Sequence, residues 1–259
     1  MTTLQLNLPK LVRQQNPVVL TIANTVTPAK VADGLSAIGT SPIMSIAPQE
    51  ASEMVALANA ITINLGTINK EQVNEITTVL KENQNQKPVV LDPVAIGASQ
   101  YRLTVAKGLL QSYQFTVIRG NAGEIAALAN VNWSSHGIDG GSGQANLHEI
   151  AKNVAQAYNC IVVLTGKTDI VTDGNNEFIN HLSTNYFTTN IGSGDMLSSI
   201  IAAYLSVSDT PYLAVCTATK FFTAAGVKAA REVTGFGQWQ VKLMDELATL
   251  NSNEVLSVL

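Results

Sequence analysis

The hydrophobic positions of the chain fall into short continuous runs, which are separated by longer segments with helical periodicity. Five runs of apolar and β-branched residues, each bounded by Gly, Pro, Asn or Asp, cover residues 18–23, 61–66, 88–93, 115–120 and 161–166. Such runs are typical of strands that are buried on both faces of a sheet. Residues 169–173 follow the fifth run so closely that the pair predicts a hairpin and one antiparallel edge.

The segments between these runs predict helices. The stretch NKEQVNEITTVLKENQ, which starts at Asn69, places its apolar side chains on one stripe. Thr27 followed by Pro28 predicts another helix start, with Thr27 as the N-cap. Further helices are predicted for nearly all of the last third of the chain and for three segments, YRLTVAKGLLQSY, NAGEIAALAN and LHEIAKNVAQAY. This alternation predicts an α/β fold with a mostly parallel, doubly wound central sheet and helices on both faces.

A single domain over residues 1–259 fits this pattern best. The one loose stretch is WSSHGIDGGSGQ, residues 133–144, which is rich in Gly and Ser but short. Its composition favours a surface loop over a linker between domains.

The composition of the chain argues against a nucleic-acid-binding protein and against a membrane-spanning one. Hydrophobic residues make up 46% of the chain, charged residues 13%, and the net charge is −4. Nucleic acid is excluded as a main partner because phosphate neutralisation needs clustered Lys and Arg. No apolar run reaches the roughly 20 residues needed to span a bilayer. Cys160 and Cys216 lie far apart in apolar contexts, which predicts two buried free thiols and, with no signal-peptide pattern, a cytoplasmic protein.

Polar residues cluster where the predicted strands end. In parallel sheets ligands bind beyond the carboxyl ends of the strands. Asp92 and Glu124 are oxygen donors that suit Mg²⁺, and Arg119 offers planar donors for a phosphate. Each residue also has a plain structural interpretation: Asp92 precedes Pro93 in a turn, and Asn121 could cap the next helix. Their shared edge favours a site, whose members are Asn24, Asp92, Arg119, Asn121, Glu124 and Thr165.

The segment TNIGSGDMLSS, residues 189–199, runs from a glycine-spaced turn into an apolar helix. Backbone N–H groups and the positive end of the dipole make a helix N-terminus a site for anions. We therefore expect the turn to hold a phosphoryl group and Asp195 to accept the proton of an attacking hydroxyl. The alternative is that Asp195 only complements the helix dipole.

Several segments resemble the hydroxyethylthiazole kinase family of the ribokinase-like superfamily. LSAIGTSPIM, NLGTIN, VVLDPVAIGASQYR, FTVIRGNAGEIAAL and VVLTGKTDIVTDG match in order and spacing. The resemblance implies Mg²⁺-requiring, ATP-dependent phosphorylation of 4-methyl-5-(2-hydroxyethyl)thiazole in thiamine salvage. It also implies a homotrimer with sites between subunits.

The resemblance assigns roles residue by residue. Met44 and Gly192 would contact the thiazole, Arg119 and Thr165 would bind ATP, and Asp195 takes the catalytic position. We further expect Asn24 at the substrate, Asn121 and Gly194 at ATP, and Asp92 and Glu124 at the metal.

The chain departs from the family pattern at four positions. Many members carry Cys where this chain has Asp195, and an acid there is common in the wider superfamily. Ala29 and Asp33 stand where the family usually shows Asn, and Ala95 replaces a usual Gly. The changes at Ala29 and Asp33 bear on fine substrate preference.

Three alternatives remain open. A sibling kinase would phosphorylate a hydroxymethylpyrimidine or pyridoxal, although GTSPIM favours thiazole. A nucleotide-dependent NAD(P)H-hydrate dehydratase would use the same GSGD turn. A protein that binds nucleotide or thiazole without turnover is the third, and the acid at Asp195 speaks against it.

Overall fold

The computed structural model describes residues 3–133 and 146–258, and within them eight strands form one continuous sheet. The strands are β1 (Val18–Ile22), β2 (Ser41–Met44), β3 (Ala60–Asn64), β4 (Val89–Asp92), β5 (Val117–Asn121), β6 (Ile161–Thr165), β7 (Asp169–Thr172) and β8 (Glu177–Asn180). Their spatial order is β2-β1-β3-β4-β5-β6-β7-β8, and the first six are parallel. The predicted hairpin is confirmed, since β7 pairs antiparallel with β6 and β8 extends that edge.

Helices cover both faces of this sheet. In chain order they are α1 (Leu8–Gln15), α2 (Pro28–Ala37), α3 (Ala51–Leu57), α4 (Lys70–Asn83), α5 (Gln100–Ser112), α6 (Ala122–Leu128), α7 (Leu147–Tyr158), α8 (Tyr186–Thr189), α9 (Ser193–Leu205), α10 (Pro211–Glu232), α11 (Phe236–Thr249) and α12 (Ser252–Ser257). A 3-10 turn, Pro48–Glu50, precedes α3. The predicted doubly wound α/β fold is confirmed.

Two hydrophobic cores separate the helices by face. Val19, Val90 and Val163 point from the strands into a core built with α1, α2 and α9–α12. The residues that follow Val19 and Val90, Leu20 and Leu91, point into a second core with α3–α7. Because successive strand residues point to opposite faces, a strand buried on both faces must be apolar throughout, as the sequence shows.

Helix α9 lies at the centre of the first core. Eleven of its thirteen residues are buried, and it packs against β1, β3 and β4. The apolar run after Asp195 therefore fixes the N-terminus of α9 beside the strand ends.

Two local features differ from the sequence prediction. Strand β2 was not predicted, because Ser41–Met44 is short and contains Pro42. Proline is tolerated there because β2 is an edge strand. Thr27 does precede α2, but its side chain makes no capping hydrogen bond. In contrast, the helix predicted to start at Asn69 is confirmed, and the Asn69 side chain caps it by accepting the N–H of Gln72.

Other expectations concern the cysteines, the loop and the membrane. Cys160 and Cys216 are buried free thiols, as predicted. The loop predicted at residues 133–144 lies, beyond Trp133, outside the described residues. In the described part of the chain, no helix has both the length and the apolar character to cross a bilayer.

Candidate functional site

The parallel register brings the polar strand ends to one edge of the sheet. Asn64, the last residue of β3, lies opposite Asp92, the last residue of β4. Asn121 at the end of β5 lies opposite Thr165 at the end of β6. Asn24 follows β1 by two residues. The structure therefore brings together the strand-end residues that the sequence placed at this edge.

Arg119 connects three elements across this edge. Its Nη2 donates to Thr165 Oγ1 at 2.7 Å, and its Nη1 lies 3.4 Å from Asp92 Oδ2. Ser198 of α9 donates to the same Asp92 oxygen at 2.9 Å. The guanidinium is thus held in place by a carboxylate on one side and a hydroxyl on the other.

Asp92 is fully buried, and its Oδ1 has no hydrogen-bond partner within the described ranges. Burial raises the pKa of Asp92 to about 7, although the charge of Arg119 and the hydrogen bond from Ser198 oppose the rise. The negative charges of Asp195 and Glu124 add to it. Among the described residues, none donates to Asp92 Oδ1. A buried carboxylate oxygen without a donor suits a cation, and Mg²⁺ prefers such oxygens.

The described residues contain no cluster of three or more His, Cys, Asp or Glu side chains that could hold a metal. Mg²⁺ usually binds through one or two carboxylates while keeping waters and substrate phosphates. The role of Asp92 and Glu124 as its donor pair stays a prediction.

Glu124 is already engaged by the backbone. Its Oε2 accepts the N–H of Asn121 at 2.7 Å, and its Oε1 accepts the N–H of Ala95 at 2.8 Å. Asn121 in turn accepts the N–H of Glu124, so the two residues form a capping box at the start of α6. The capping interpretation of Asn121 is correct, and the ATP and metal roles of Asn121 and Glu124 stay predictions.

The glycine turn before α9 is open toward the site. Gly192 occupies the N-cap with φ of 91°, in the left-handed region that favours glycine, and no side chain caps the helix. Ser193 N–H bonds to Asn190 O and Met196 N–H to Gly192 O. Among the described residues, none accepts from the N–H groups of Gly194 and Asp195. These N–H groups are available to an anion, as the sequence predicted.

Gly194 is required by the close approach of Arg119. A Cβ atom at this position would lie 2.1 Å from Arg119 Nη1. The two glycines of the turn therefore serve different purposes. Gly192 supplies a backbone conformation, and Gly194 lets the guanidinium lie against the turn.

Asp195 is held by one of its two oxygens. Asn24 Nδ2 donates to Oδ2 at 2.6 Å, and Thr27 Oγ1 donates to the same oxygen at 2.5 Å. No described residue donates to Oδ1. The carboxylate is thus oriented by one oxygen while the other can accept a proton from a bound molecule. The sequence pattern did not indicate this role of Thr27, nor that of Ser198, which lies on the same face of α9 three residues after Asp195.

Met44 ends the edge strand β2, where it is half-buried and packs against the first core. Three exposed apolar residues each lie within two sequence positions of a candidate site residue: Val26 (64% exposed), Ile46 (87%) and Ile191 (73%). We call these three residues the apolar rim.

A cavity of about 810 Å³ opens beside Thr165. Its walls are mostly apolar and include Trp133, Leu164 and Ile170, and its polar lining residues include Asn121 and Thr165. Cavities of roughly 300–1,000 Å³ with few polar groups are typical of small-molecule sites. The cavity is therefore large enough for a nucleoside, and its lining residue Thr165 accepts a hydrogen bond from Arg119.

Comparisons with known proteins agree with this geometry. A ribokinase-like superfamily protein from Enterococcus faecalis V583 has a TM-score of 0.62 at 15% identity, covering 93% of this chain and 95% of that one. A hydroxyethylthiazole kinase from Pyrococcus horikoshii OT3 has a TM-score of 0.89 at 32% identity, covering 97% and 95% of the two chains. The fold is therefore that of a ribokinase-like kinase.

The family follows from sequence. The profile of the hydroxyethylthiazole kinase family matches residues 9–253. A hydroxyethylthiazole kinase from Limosilactobacillus reuteri is 52% identical over 245 residues, which cover 95% of this chain and 91% of that protein. The chain belongs to the hydroxyethylthiazole kinase family, so the resemblance inferred from its sequence motifs is confirmed.

Proposed function

We propose that this enzyme transfers the terminal phosphoryl group of ATP to the hydroxyl of 4-methyl-5-(2-hydroxyethyl)thiazole, as a step of thiamine salvage. The observation that carries the proposal is the oriented carboxylate of Asp195, beside the N–H groups of Gly194 and Asp195. In the part of the chain that the structure describes, neither Oδ1 of Asp195 nor these N–H groups have a partner. The name and high identity of the relative from Limosilactobacillus reuteri support the substrate.

The nucleotide occupies the cavity beside Thr165. In this arrangement Thr165 and Asn121 lie at the phosphate end of the nucleoside, and Arg119 reaches the phosphates across Gly194. A guanidinium and backbone N–H groups stabilise the charge of a transferring phosphoryl group, and phosphoryl transfer depends mainly on such positioning. Mg²⁺, held by Asp92 with Glu124, would neutralise phosphate charge.

Asp195 acts as the general base. The substrate hydroxyl lies at its Oδ1 and transfers its proton there while the hydroxyl oxygen bonds to the terminal phosphorus. The bond from that phosphorus to the bridging oxygen breaks, and ADP leaves with the electron pair. Asn24 and Thr27 hold the carboxylate through Oδ2, so the accepting oxygen stays directed toward the substrate.

The thiazole ring lies between Met44 and the Gly192 turn. A thioether is soft and adapts to a flat sulfur heterocycle. The sequence predicts a substrate contact for Asn24. Its side-chain amide donates hydrogen bonds to Asp195, Asn64 and Thr27. We therefore propose that Asn24 acts on the substrate through Asp195.

The assembly is a homotrimer in the cytoplasm, with the whole chain as one catalytic domain. The apolar rim supports this proposal because large apolar side chains exposed beside a site favour burial against another subunit.

A product assay tests the reaction. The purified protein is incubated with ATP and Mg²⁺ and with one candidate at a time: the thiazole alcohol, hydroxymethylpyrimidine, pyridoxal or hydrated NADH. Products are identified by mass. We expect the thiazole phosphate to form with a kcat/KM at least tenfold above that for the other alcohols. Faster turnover of another candidate would reassign the substrate, and nucleotide binding without any product would show a non-catalytic protein.

A further inference from the structure

We infer that Lys30 binds the terminal phosphoryl group of the nucleotide, as a second cation opposite Arg119. This inference rests on the proposed function, because it takes a nucleoside triphosphate as the ligand of the glycine turn. Lys30 lies in the first turn of α2, one turn after Thr27.

The first observation is the contact of Lys30 with the glycine turn. Its Nζ donates to Ile191 O at 2.7 Å, immediately before Gly192. Its stem packs on the same turn, since a Cβ atom at Gly192 would lie 3.3 Å from Lys30 Cδ. The ammonium is therefore fixed on the α2 side of the turn, whereas Arg119 lies against Gly194 from the strand side.

The second observation is the incomplete pairing of this ammonium. Lys30 is half-buried, and the described residues give it neither an ion pair nor a second acceptor. An ammonium has three N–H donors, so two remain for a ligand. Burial lowers the pKa of Lys30, and the negative charge of Asp195 opposes that change. A bound phosphoryl group would complete the pairing of this partly buried charge.

Asp195 provides a further reason for a cation at this place. Its carboxylate would repel an incoming phosphate, because both are negative. Lys30 lies close enough to Asp195 for their charges to interact. It can therefore offset that repulsion without donating to the free Oδ1 of Asp195, which stays available for the substrate proton.

The test compares affinities for ATP and ADP, measured by calorimetry with Mg²⁺ and without any alcohol. Only ATP carries the terminal phosphoryl group. We expect Lys30→Met to weaken ATP binding about tenfold or more and ADP binding less than twofold. Lys30→Arg, which keeps the charge, should restore most of the preference for ATP. Lys10→Met is the matched control, because Lys10 is an exposed lysine in α1, and it should leave both affinities unchanged.

Kinetics give the second readout. In the alcohol assay, kcat of Lys30→Met should fall about 10- to 100-fold, with the alcohol KM within a few-fold of wild type. Equal loss of ATP and ADP affinity, or a change confined to the alcohol KM, would overturn the inference. If Lys30→Met does not fold, Lys30→Gln is compared with Lys30→Arg in the same way.

The outcome separates the two proposals. An ATP preference that depends on Lys30, in a protein that does not phosphorylate the thiazole alcohol, supports Lys30 and rejects the substrate. Thiazole phosphorylation with an unchanged ATP preference in Lys30→Met rejects Lys30 alone. A wild-type protein that binds neither nucleotide rejects both.

Discussion

The first turns of α6 and α9 match in position but differ in how their N–H groups are used. Each begins beside the strand ends, and the four residues from N-cap to third helical position read Asn-Ala-Gly-Glu, 121–124, in α6 and Gly-Ser-Gly-Asp, 192–195, in α9. Both place glycine at the second helical position and an acid at the third. In α6 the Asn and Glu side chains close the turn on itself. In α9 the N-cap has no side chain, and Asp195 is held by Asn24 and Thr27 instead.

Under the proposed function, two helix starts at the same sheet edge serve different ends, stability in α6 and chemistry in α9. A capping box satisfies N–H groups that would otherwise need a ligand or water. Without it, the N–H groups and the carboxylate of α9 remain available to a phosphate and a hydroxyl. Side-chain changes in α6 should therefore act first on folding, and equivalent changes in α9 should act first on turnover.

Asp195→Asn should have the largest effect. The amide keeps the size of the side chain but cannot accept the proton, and a positioned base contributes roughly 10²- to 10⁴-fold to a rate. We expect kcat to fall by about that factor, while ATP affinity stays equal or improves because a negative charge is removed. Steady-state assays measure kcat, and stopped-flow binding experiments measure the affinity for ATP.

The same Asp195 variants are also expected to separate an effect on activity from an effect on stability. Asp195→Asn should leave the free energy of unfolding in urea nearly unchanged, and Asp195→Cys should keep partial activity, since many relatives carry Cys there. Turnover within a few-fold of wild type in Asp195→Asn would reduce Asp195 to a partner of the helix dipole.

Gly194→Ala should lower kcat by about 10²-fold. A new Cβ atom would lie 2.1 Å from Arg119 Nη1, so the guanidinium must leave its place between Asp92 and Thr165. Gly123→Ala is the control at the same position of α6, where the nearest atom, Asn121 Oδ1, is 3.4 Å away. Steady-state kinetics of both variants should show a loss confined to α9. An equal loss of kcat in Gly194→Ala and Gly123→Ala would mean that alanine disturbs the start of either helix, whether or not Arg119 lies beside it.

Glu124→Gln should act mainly on stability. Glutamine has one acceptor oxygen, so either Ala95 N–H or Asn121 N–H loses its partner, at about 1–2 kcal/mol. Urea unfolding measures this loss. We also expect the Mg²⁺ concentration for half-maximal activity to rise roughly tenfold, with the alcohol KM unchanged. Unaltered metal dependence would leave Glu124 with its capping role alone.

Ala95→Gly should have the smallest effect, and it should raise the free energy of unfolding instead of lowering it. Ala95 has φ of 57°, which costs a non-glycine residue conformational energy, and its N–H supports Glu124. We expect a gain of about 0.5 kcal/mol in the free energy of unfolding, with unchanged kcat. Ala98→Gly, in the same loop but without a positive φ, should give no gain. A loss in Ala95→Gly would show that the alanine methyl group contributes more than the strain costs.

The sequence predicted the elements that depend on local pattern. The buried strands, the hairpin and the helix start at Gly192 all follow from apolar runs and glycine spacing. Strand β2 did not follow, because its pairing with β1 decides the conformation of four residues that contain Pro42. The set of strand-end residues was predictable because parallel strands end at one edge.

The roles within that set depend on contacts between distant residues. Thr27 fits an N-cap by its local sequence, yet its hydroxyl donates to Asp195, which lies 168 residues away. The sequence predicted the capped turn of α6 but not the contacts that hold Asp195 in the uncapped turn of α9. Asn121 and Glu124 have the spacing of a capping box, whereas nothing near Asp195 indicates which of its oxygens is free.

The burial of α9 also decides how the enzyme responds to heat. A helix with eleven of thirteen residues inside the core cannot shift by itself, because each displacement would open cavities along β1, β3 and β4. The glycine turn at the start of α9 is therefore anchored to that core. Inactivation on warming should then coincide with cooperative unfolding of the whole sheet, instead of preceding it through local melting. Adaptation of this enzyme to higher temperature would consequently proceed through core packing, with the catalytic turn left unchanged.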